Sequence, residues 1–335
     1  MSQKILLIAP TPTHPPTMGN RKRILGMAET LREDGHDVHF AYCGWDAIDA
    51  EALRAYWGDR VSFMRTAFCP GPWPWWERWW ARIVRLCGGA QPRHIFGLDE
   101  YFDRSCLPKL RALQAEQRFD TVILSYVFMT GAFRAFDPGV RKVLDSHDVF
   151  TRRDKVYDRI GIEPQFYYCR WWDEARGLSR ADVVLAIQEK ERRYLSRLTW
   201  KPVITVGHFT KARAVPLSEP GAQNVCAFVG SDNPLNVRAA ESLASEVWPL
   251  VVRRSPKASL LFAGGVCDAL AESGHYRKLG RFQAIEEVYA RAAIALCPVR
   301  VGTGLKVKVV EAMACGRPVL ADRIASQGLA DAVGE

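Results

Sequence analysis

The sequence has no long hydrophobic run. No window of about 18 consecutive apolar residues occurs in its 335 residues, so no transmembrane helix is predicted. The apolar run near the amino terminus, Ile5 to Ala9, is too short for the hydrophobic core of a signal peptide. We therefore expect a cytoplasmic protein, and a peripheral position on the cytoplasmic face of a membrane is the one form of membrane association that stays open.

Cysteine pairs with metal-ligand spacing are also missing. The chain has nine cysteines, an odd number, and none of them forms a C-x-x-C pair. This usage predicts reduced, mostly buried thiols and argues against a disulfide framework. The first predicted strand is not followed by a G-x-G-x-x-G motif, which argues against a dinucleotide cofactor. We expect neither a cofactor nor a metal site.

The chain has no block of like charge that would mark a nucleic-acid-binding domain. It carries 46 Lys and Arg against 37 Asp and Glu, and the net charge of +9 is spread over both halves. Such a distribution suits phosphate groups or an anionic surface, and we expect no nucleic-acid partner. The hydrophobic content of 48% supplies ample core, and the length predicts two domains of ordinary size.

Short apolar strands alternate with amphipathic helices, which predicts an α/β protein with parallel sheets. A first βαβ unit and a later series of strands are separated by a stretch with three prolines, which predicts a domain boundary. We predict two Rossmann-like domains facing a cleft, 1–200 and 201–335. The segments are 4–9, about 21–33 and 38–42 for the first unit, 225–229, 259–263 and 294–298 for later strands, and 199–223 for the boundary.

The stretch from Val301 to Leu320 predicts a strand, a glycine turn and a helix of roughly three turns. Glycines let backbone N–H groups approach a ligand closely, and the start of a helix favours an anion. Lys306 and Lys308 fall in the first turn, a poor place for lysine unless an anion is present. The residues alone leave two interpretations open: a phosphate site, or an ordinary turn in which Lys308 and Glu311 form a solvated pair.

These residues carry a family resemblance. The run Gly302-Thr-Gly-Leu-Lys-Val-Lys-Val-Val-Glu-Ala-Met-Ala-Cys-Gly-Arg-Pro-Val resembles the donor-site motif of the retaining GT-B glycosyltransferases, specifically glycosyltransferase family 4. The resemblance implies the GT-B fold, here with a carboxy-terminal domain that is shortened and lacks its final crossover helix. It implies a hexosyltransferase-like enzyme that moves a sugar, with retention, from a nucleotide-diphosphate sugar to a saccharide or lipid-linked acceptor, without an obligatory metal.

The resemblance also implies a set of donor-binding residues. Glu311 is implied to hold the ribose hydroxyls, and the glycine loop to face the diphosphate. Thr303 stands where many members have a glutamate that touches the sugar. The full predicted donor-binding set is Gly19, Gly230, Ser231, Gly302, Thr303, Gly304, Leu305, Lys306, Lys308 and Glu311.

A second group of candidate residues follows the predicted strand 140–145, which ends in Asp145-Ser-His-Asp148. Ligands of open α/β sheets bind at the carboxyl ends of the strands, so this position favours an active-site role. The resemblance implies that His147 approaches the donor sugar. Asp148 is the candidate to orient the imidazole or an acceptor hydroxyl. We predict His147 and Asp148 as catalytic residues.

Two further features have open interpretations. Trp76, Trp79 and Trp80 begin an apolar stripe at helical spacing, with arginines elsewhere around the helix. The stripe is compatible with contact to the inner membrane surface and also with a helix packed on its own domain. The basic cluster 21–23 is compatible with plain surface or with a phosphate or acceptor contact.

A non-catalytic alternative also remains. The chain has Thr303 in place of a glutamate, and the segment after the strand 225–229 lacks the arginine and lysine often found there in the resembling family. These departures favour a nucleotide-sugar-binding or scaffolding subunit of the GT-B type.

Overall fold

The computed structural model describes residues 2–44, 48–64, 96–159, 161–162, 167–302 and 304–329. The predicted tryptophan stripe, Trp76, Trp79 and Trp80, and the loop residue Thr303 lie outside these ranges. The chain divides into two compact units: residues 1–15 with 23–207, and residues 16–22 with 208–335. The inclusion of 16–22 in the second unit has no signal in the sequence.

The first unit is built on a seven-stranded sheet of order β3-β2-β1-β4-β5-β6-β7, in which every pairing is parallel. Its strands are β1 (Lys4–Ala9), β2 (Asp37–Tyr42), β3 (Val61–Phe63), β4 (Thr121–Ser125), β5 (Arg141–Asp145), β6 (Val183–Ala186) and β7 (Val203–Thr205). Its helices are α1 (Gly19–Glu33), α2 (Ala50–Trp57), α3 (Cys106–Gln117), α4 (Asp154–Asp158), α5 (Trp171–Leu178) and α6 (Glu189–Leu195), with 3-10 turns at Gly58–Arg60 and Val127–Ala135. The first four residues of α1 belong to the second unit.

The central strands of this sheet are buried on both faces. All five residues of β4 and five of the six residues of β1 are buried. Helices cover both faces of a parallel sheet, so its strands are nearly continuous apolar runs, which is why the sequence predicts them well. The core includes Leu6, Ile8, Ala41, Val122, Leu124, Leu144 and Val184.

The second unit is a five-stranded parallel sheet of order β10-β9-β8-β11-β12. Its strands are β8 (Val225–Val229), β9 (Ser259–Ala263), β10 (Arg277–Gly280), β11 (Ile294–Cys297) and β12 (Val319–Ala321). Its helices are α7 (Pro234–Ser242), α8 (Trp248–Arg254), α9 (Val266–Ala269), α10 (Ile285–Tyr289) and α11 (Val307–Ala314), with a 3-10 turn at Ala222–Asn224 and a π-helical turn at Leu243–Val247.

The strand order of the second unit reverses between β8 and β11. In open parallel sheets the crevice at such a reversal is where ligands bind, at the carboxyl ends of the strands. The predicted α/β class with two parallel sheets is confirmed. The helix after the glycine turn is shorter than predicted, since α11 has eight residues and ends just before Gly316, whose φ is +74°. Among the described residues, no helix is long and apolar enough to cross a bilayer.

Candidate functional site

Two glycine turns at the carboxyl edge of the second unit pack directly against each other. Gly230 follows β8, and Gly264 follows β9 with a φ of +94°. A Cβ atom on Gly264 would lie 2.4 Å from the carbonyl oxygen of Gly230. A side chain is therefore excluded at Gly264 both by its backbone conformation and by the neighbouring turn. The close approach brings the ends of β8 and β9 together beside the strand reversal.

Lys308 connects the helix after β11 to the end of β8. Its Nζ atom donates hydrogen bonds to the carbonyl oxygen of Val229 at 3.0 Å and to Asn236 Oδ1 at 2.9 Å. The same atom lies 4.4 Å from the ring centroid of Phe228. Burial lowers the pKa of Lys308 to about 8. The ammonium group is therefore held at the strand reversal, and the alternative of a solvated pair with Glu311 is wrong.

Asn236 ties this lysine to the turn after β8. Its Nδ2 atom donates to Ser231 Oγ at 3.1 Å, while its Oδ1 atom receives Lys308. Asn233 caps helix α7 by accepting a hydrogen bond from the Leu235 amide. The two asparagines thus have separate tasks, one in the cap and one in the site. The sequence shows both of them but gives no sign that Asn236 meets Lys308, 72 residues away.

The glycine loop before α11 has the backbone that its sequence predicts. Gly302 has a φ of +137° and Gly304 a φ of +74°, values that favour glycine. Lys306 Nζ donates to the carbonyl oxygen of Gly304 at 3.3 Å, and a Cβ atom on Gly302 would lie 3.1 Å from that Nζ atom. Leu305, which lies between Gly304 and Lys306 in the chain, is half-buried. The loop places two lysine ammonium groups around the start of α11.

Glu311 is 8% exposed and faces the segment 16–22 of the same unit. Lys22 Nζ lies 2.5 Å from Glu311 Oε1. Gly19 packs beside them, because a Cβ atom on it would contact the Val307 side chain at 3.4 Å. The second unit therefore brings Gly19, Glu311 and the glycine loop together. Lys22 is a partner that the sequence does not indicate, since 289 residues separate it from Glu311.

In the first unit, His147 lies just beyond the end of β5 in a strained conformation. Its φ is +59°, and the φ of Tyr126, which follows β4, is +74°. The two rings stack with their centroids 4.2 Å apart. Two left-handed residues that are not glycine, next to each other at a sheet edge, store backbone strain, and such strain clusters at functional sites.

The carboxylate beside the His147 ring is that of Asp145, two residues earlier in the chain. The imidazole Nε2 atom lies 3.2 Å from Asp145 Oδ2, while the Asp148 carboxylate pairs with Arg153. The Asp148 carboxylate is farther away but also acts on the imidazole electrostatically. The roles predicted for Asp148, to orient the imidazole or an acceptor hydroxyl and to act in catalysis, stay predictions.

Arg23 is the buried counterion of Asp145. The guanidinium Nε donates to Asp145 Oδ2 at 2.8 Å and Nη2 donates to Oδ1 at 2.7 Å, and both residues are 1% exposed. Arg23 also donates to the carbonyl oxygens of Val206 and Gly207. The surface interpretation of the cluster 21–23 is wrong for Arg23. Its spacing of four from the buried Met27 was the available sequence signal.

The His147 ring is uncharged at neutral pH. Burial lowers its pKa to about 4; Asp145 and Asp148 act to raise it, and Arg23 acts to lower it. A neutral imidazole can donate one hydrogen bond and accept another, which suits contact with a hydroxyl group. Within the described ranges, no cluster of three or more His, Cys, Asp or Glu side chains could hold a metal ion.

Two family models match the chain, one for each half. The model described as "Glycosyl transferase 4-like domain" matches residues 19–207, more than half of the chain, and the model described as "Glycosyl transferases group 1" matches residues 223–335. No curated protein has a significant sequence match to this chain.

The fold is similar to that of several solved structures. A TarM variant from S. aureus, in complex with fondaparinux, alpha-GlcNAc-glycerol and UDP, has a TM-score of 0.66 at 11% identity, over 99% of this chain and 88% of that one. Sucrose-phosphate synthase from Thermosynechococcus elongatus has a TM-score of 0.62 at 16% identity, over 97% and 82%. HepE from Anabaena, in complex with UDP and glucose, has a TM-score of 0.61 at 12% identity, over 99% and 83%.

Proposed function

Since this chain belongs to the glycosyltransferases with a glycosyl transferase 4-like domain and has the GT-B fold, we propose that it is a retaining enzyme that uses a nucleotide-diphosphate sugar. The acceptor in this proposal is a saccharide or a lipid-linked saccharide. The observation that carries the proposal is the position of Lys308, which is held at the strand reversal of the second unit by Val229 and Asn236.

The chemistry of the reaction explains why such a position matters. When the bond between the anomeric carbon and the diphosphate breaks, negative charge builds up on the leaving phosphate oxygens. Positive groups that are already fixed at that point stabilise this charge without reorganising. Lys308 is fixed in this way, and Lys306 and the amides of Gly302 and Gly304 lie at the start of the same helix, α11. We assign the diphosphate to this loop.

Glu311 is the residue that we assign to the ribose. A buried carboxylate next to the diphosphate site can accept hydrogen bonds from both ribose hydroxyls, each contributing about 1.5–3 kcal/mol. Lys22 already donates to one of its oxygens, so the ribose would share or displace that ion pair. His147, as a neutral imidazole, is assigned to a hydroxyl group of the donor sugar.

For the transfer step we propose departure and attack on the same face of the sugar. The bond from the anomeric carbon to the phosphate oxygen breaks, and a bond to the acceptor hydroxyl oxygen forms. The proton of that hydroxyl passes to the leaving phosphate oxygen, so no separate protein base is needed. This route retains the anomeric configuration.

The test begins with a donor and continues with Glu311. A thermal-shift panel of UDP-, GDP-, ADP- and CMP-sugars identifies the donor. With that donor, we expect Glu311→Ala to lower kcat/KM on the order of 100-fold or more, because two charge-assisted hydrogen bonds are lost. Glu241→Ala, which removes an exposed carboxylate from α7, is the matched control. A folded Glu311→Ala variant with the rate of the control would remove the assignment.

The ion pair of Lys22 with Glu311 favours one alternative, a non-catalytic nucleotide-sugar-binding subunit. In that case the carboxylate serves the protein itself, and the sugar donor binds without reacting. Turnover separates the two functions. Donor binding with neither transfer nor slow hydrolysis of the donor would support the subunit, whereas either reaction would support the enzyme.

A further inference from the structure

The first unit contains a buried chain of three side chains that ends at His147. Arg23 and Asp145 are each 1% exposed and are joined by hydrogen bonds to both carboxylate oxygens. Asp145 Oδ2 in turn lies 3.2 Å from Nε2 of His147. One face of the imidazole is covered by Tyr126, whose ring stacks on it with the two centroids 4.2 Å apart. The position of the ring is thus determined by a charged group at its edge and an aromatic group on its face.

Fold stability alone does not account for this arrangement. A buried ion pair is often no more stabilising than apolar residues of similar volume, because both charges must leave water. Here the pair lies between helix α1 and the end of β5, at the carboxyl edge where the sheet presents its ligand-binding residues. At this place the ion pair can hold the side chain beside it in a fixed position, and that side chain is the imidazole of His147.

We propose that Asp145 and Arg23 are positioning residues: Asp145 fixes the orientation and tautomer of the His147 ring, and Arg23 holds the Asp145 carboxylate in place and compensates its charge. The inference rests on the proposed function, in which His147 contacts the donor sugar. Among the described residues Nε2 has no well-aligned hydrogen bond, but a carboxylate 3.2 Å from it repels a lone pair there. This repulsion favours the tautomer with its hydrogen on Nε2, which leaves Nδ1 as a hydrogen-bond acceptor.

The charged groups around the His147 ring determine how each variant should change its protonation. Asp145 on β5, Asp148 in the following turn and Arg23 on α1 act on the imidazole electrostatically, and Tyr126 packs on it from the end of β4. Removal of Arg23 alone leaves two carboxylates facing the ring, with Asp145 unpaired. A protonated imidazole is then favoured, because an opposite charge close by stabilises the charged form.

The experiment follows the His147 signal by NMR in protein labelled with ¹⁵N and ¹³C at its seven histidines, assigned with His147→Gln. In the wild type we expect no titration between pH 5.5 and 8, and nitrogen shifts of the Nε2–H tautomer. In Arg23→Met we expect the pKa of His147 to rise, so that its signal begins to titrate at the acid end of that window. In Arg23→Met with Asp145→Asn, which removes both charges, the titration should disappear again.

Two further variants keep the outcome decisive. Arg23→Lys preserves the charge, and its His147 signal should not titrate in the window. If Arg23→Met does not fold, Asp145→Asn decides the matter. With Arg23 present, the amide oxygen stays on the guanidinium and the amide NH2 group faces Nε2, so the Nε2–H tautomer must be lost. An unchanged titration in folded Arg23→Met, or an unchanged tautomer in Asp145→Asn, would overturn the proposal.

Enzyme kinetics provide the second readout. We expect Asp145→Asn to lower kcat about 10- to 100-fold with little change in the KM of the donor, because the ring is misplaced but the second unit is intact. The NMR result does not depend on turnover. A protein that shows the expected NMR behaviour without sugar transfer would refute the proposed function alone. A protein that transfers sugar with unaltered His147 signals in the variants would refute the positioning roles alone.

Discussion

At the scale of single residues, the protein holds the Lys308 ammonium group in a buried position, where its protonated form is less stable than in water. Burial lowers its pKa to about 8, although Val229 and Asn236 both accept its hydrogens. A bound diphosphate stabilises the protonated form and so raises this pKa. Binding of a diphosphate and binding of a proton by Lys308 are therefore linked.

This linkage predicts a specific pH dependence for nucleotide binding. Above pH 8 the free protein loses the Lys308 proton, so we expect the affinity for a nucleoside diphosphate to fall between pH 8 and 9.5. Lys308→Arg should abolish most of that fall, because arginine stays charged. Lys308→Ala should weaken diphosphate binding more than monophosphate binding. Calorimetric titrations at several pH values measure these affinities, and equal losses for both nucleotides would contradict a phosphate role.

The sequence indicates candidate site residues more readily than it indicates which of them are in contact in the folded protein. Gly302, Lys308 and Glu311 stand in one short motif, so their proximity can be predicted from the chain itself. The contact of Arg23 with Asp145 spans 122 residues, and that of Lys22 with Glu311 spans 289. Contacts of this kind are created by the fold. The approach of Asp145 to His147, two residues later, is local but has no sequence signal, and the sequence indicated only Asp148 as a residue to orient the ring.

At the scale of elements, the strands were predictable because they are buried on both faces and therefore consist of apolar runs, as β4 and β8 do. Their ends were less predictable, since hydrogen bonding and turn conformation decide them. The turns after β8 and β9 illustrate the point. Their close approach at Gly264 is a tertiary contact, and no local pattern distinguishes this glycine from others.

The packing of these turns predicts different results for two glycine substitutions. Gly264→Ala places a methyl group 2.4 Å from a backbone oxygen and forces a side chain into a φ of +94°. We expect it to lower the free energy of unfolding by about 2 kcal/mol or more and to weaken donor binding. Gly274→Ala meets no atom within 4 Å and should do neither. Chemical denaturation measures the stability of both, and equal stabilities would contradict the described packing.

At the scale of the whole molecule, buried titratable groups set the pH range of stability. Burial, together with repulsion from Asp148, raises the pKa of Glu191 to about 8. Between its ordinary pKa near 4.5 and this value the native protein binds more protons than the unfolded chain, so stability falls as the pH rises. His147 has the opposite effect on the pH dependence of stability. Its lowered pKa makes stability fall as the pH drops from 6.5 to about 4.

Glu191→Gln should separate these two contributions. The variant cannot ionise at this position, so its melting temperature should decrease less than that of the wild type between pH 6 and 8.5. The slope removed is at most about 1.4 kcal/mol per pH unit. Below pH 4.5, where Glu191 is protonated in both the native and the unfolded chain, the two proteins should show the same pH dependence. Glu241→Gln, at an exposed position, is the control, and parallel melting curves for all three proteins would show that Glu191 does not titrate in this range.

The hydrogen bonds of Arg23 also limit when the first unit can complete its folding during synthesis. The carbonyl groups of Val206 and Gly207 that receive its guanidinium come 183 and 184 residues later in the chain. During translation, helix α1 leaves the ribosome long before these acceptors exist, so its charge stays in water until nearly the whole unit has been synthesised. A gene fragment that stops at residue 200 would leave this arginine without two of its acceptors, whereas one that continues through residue 207 would supply them.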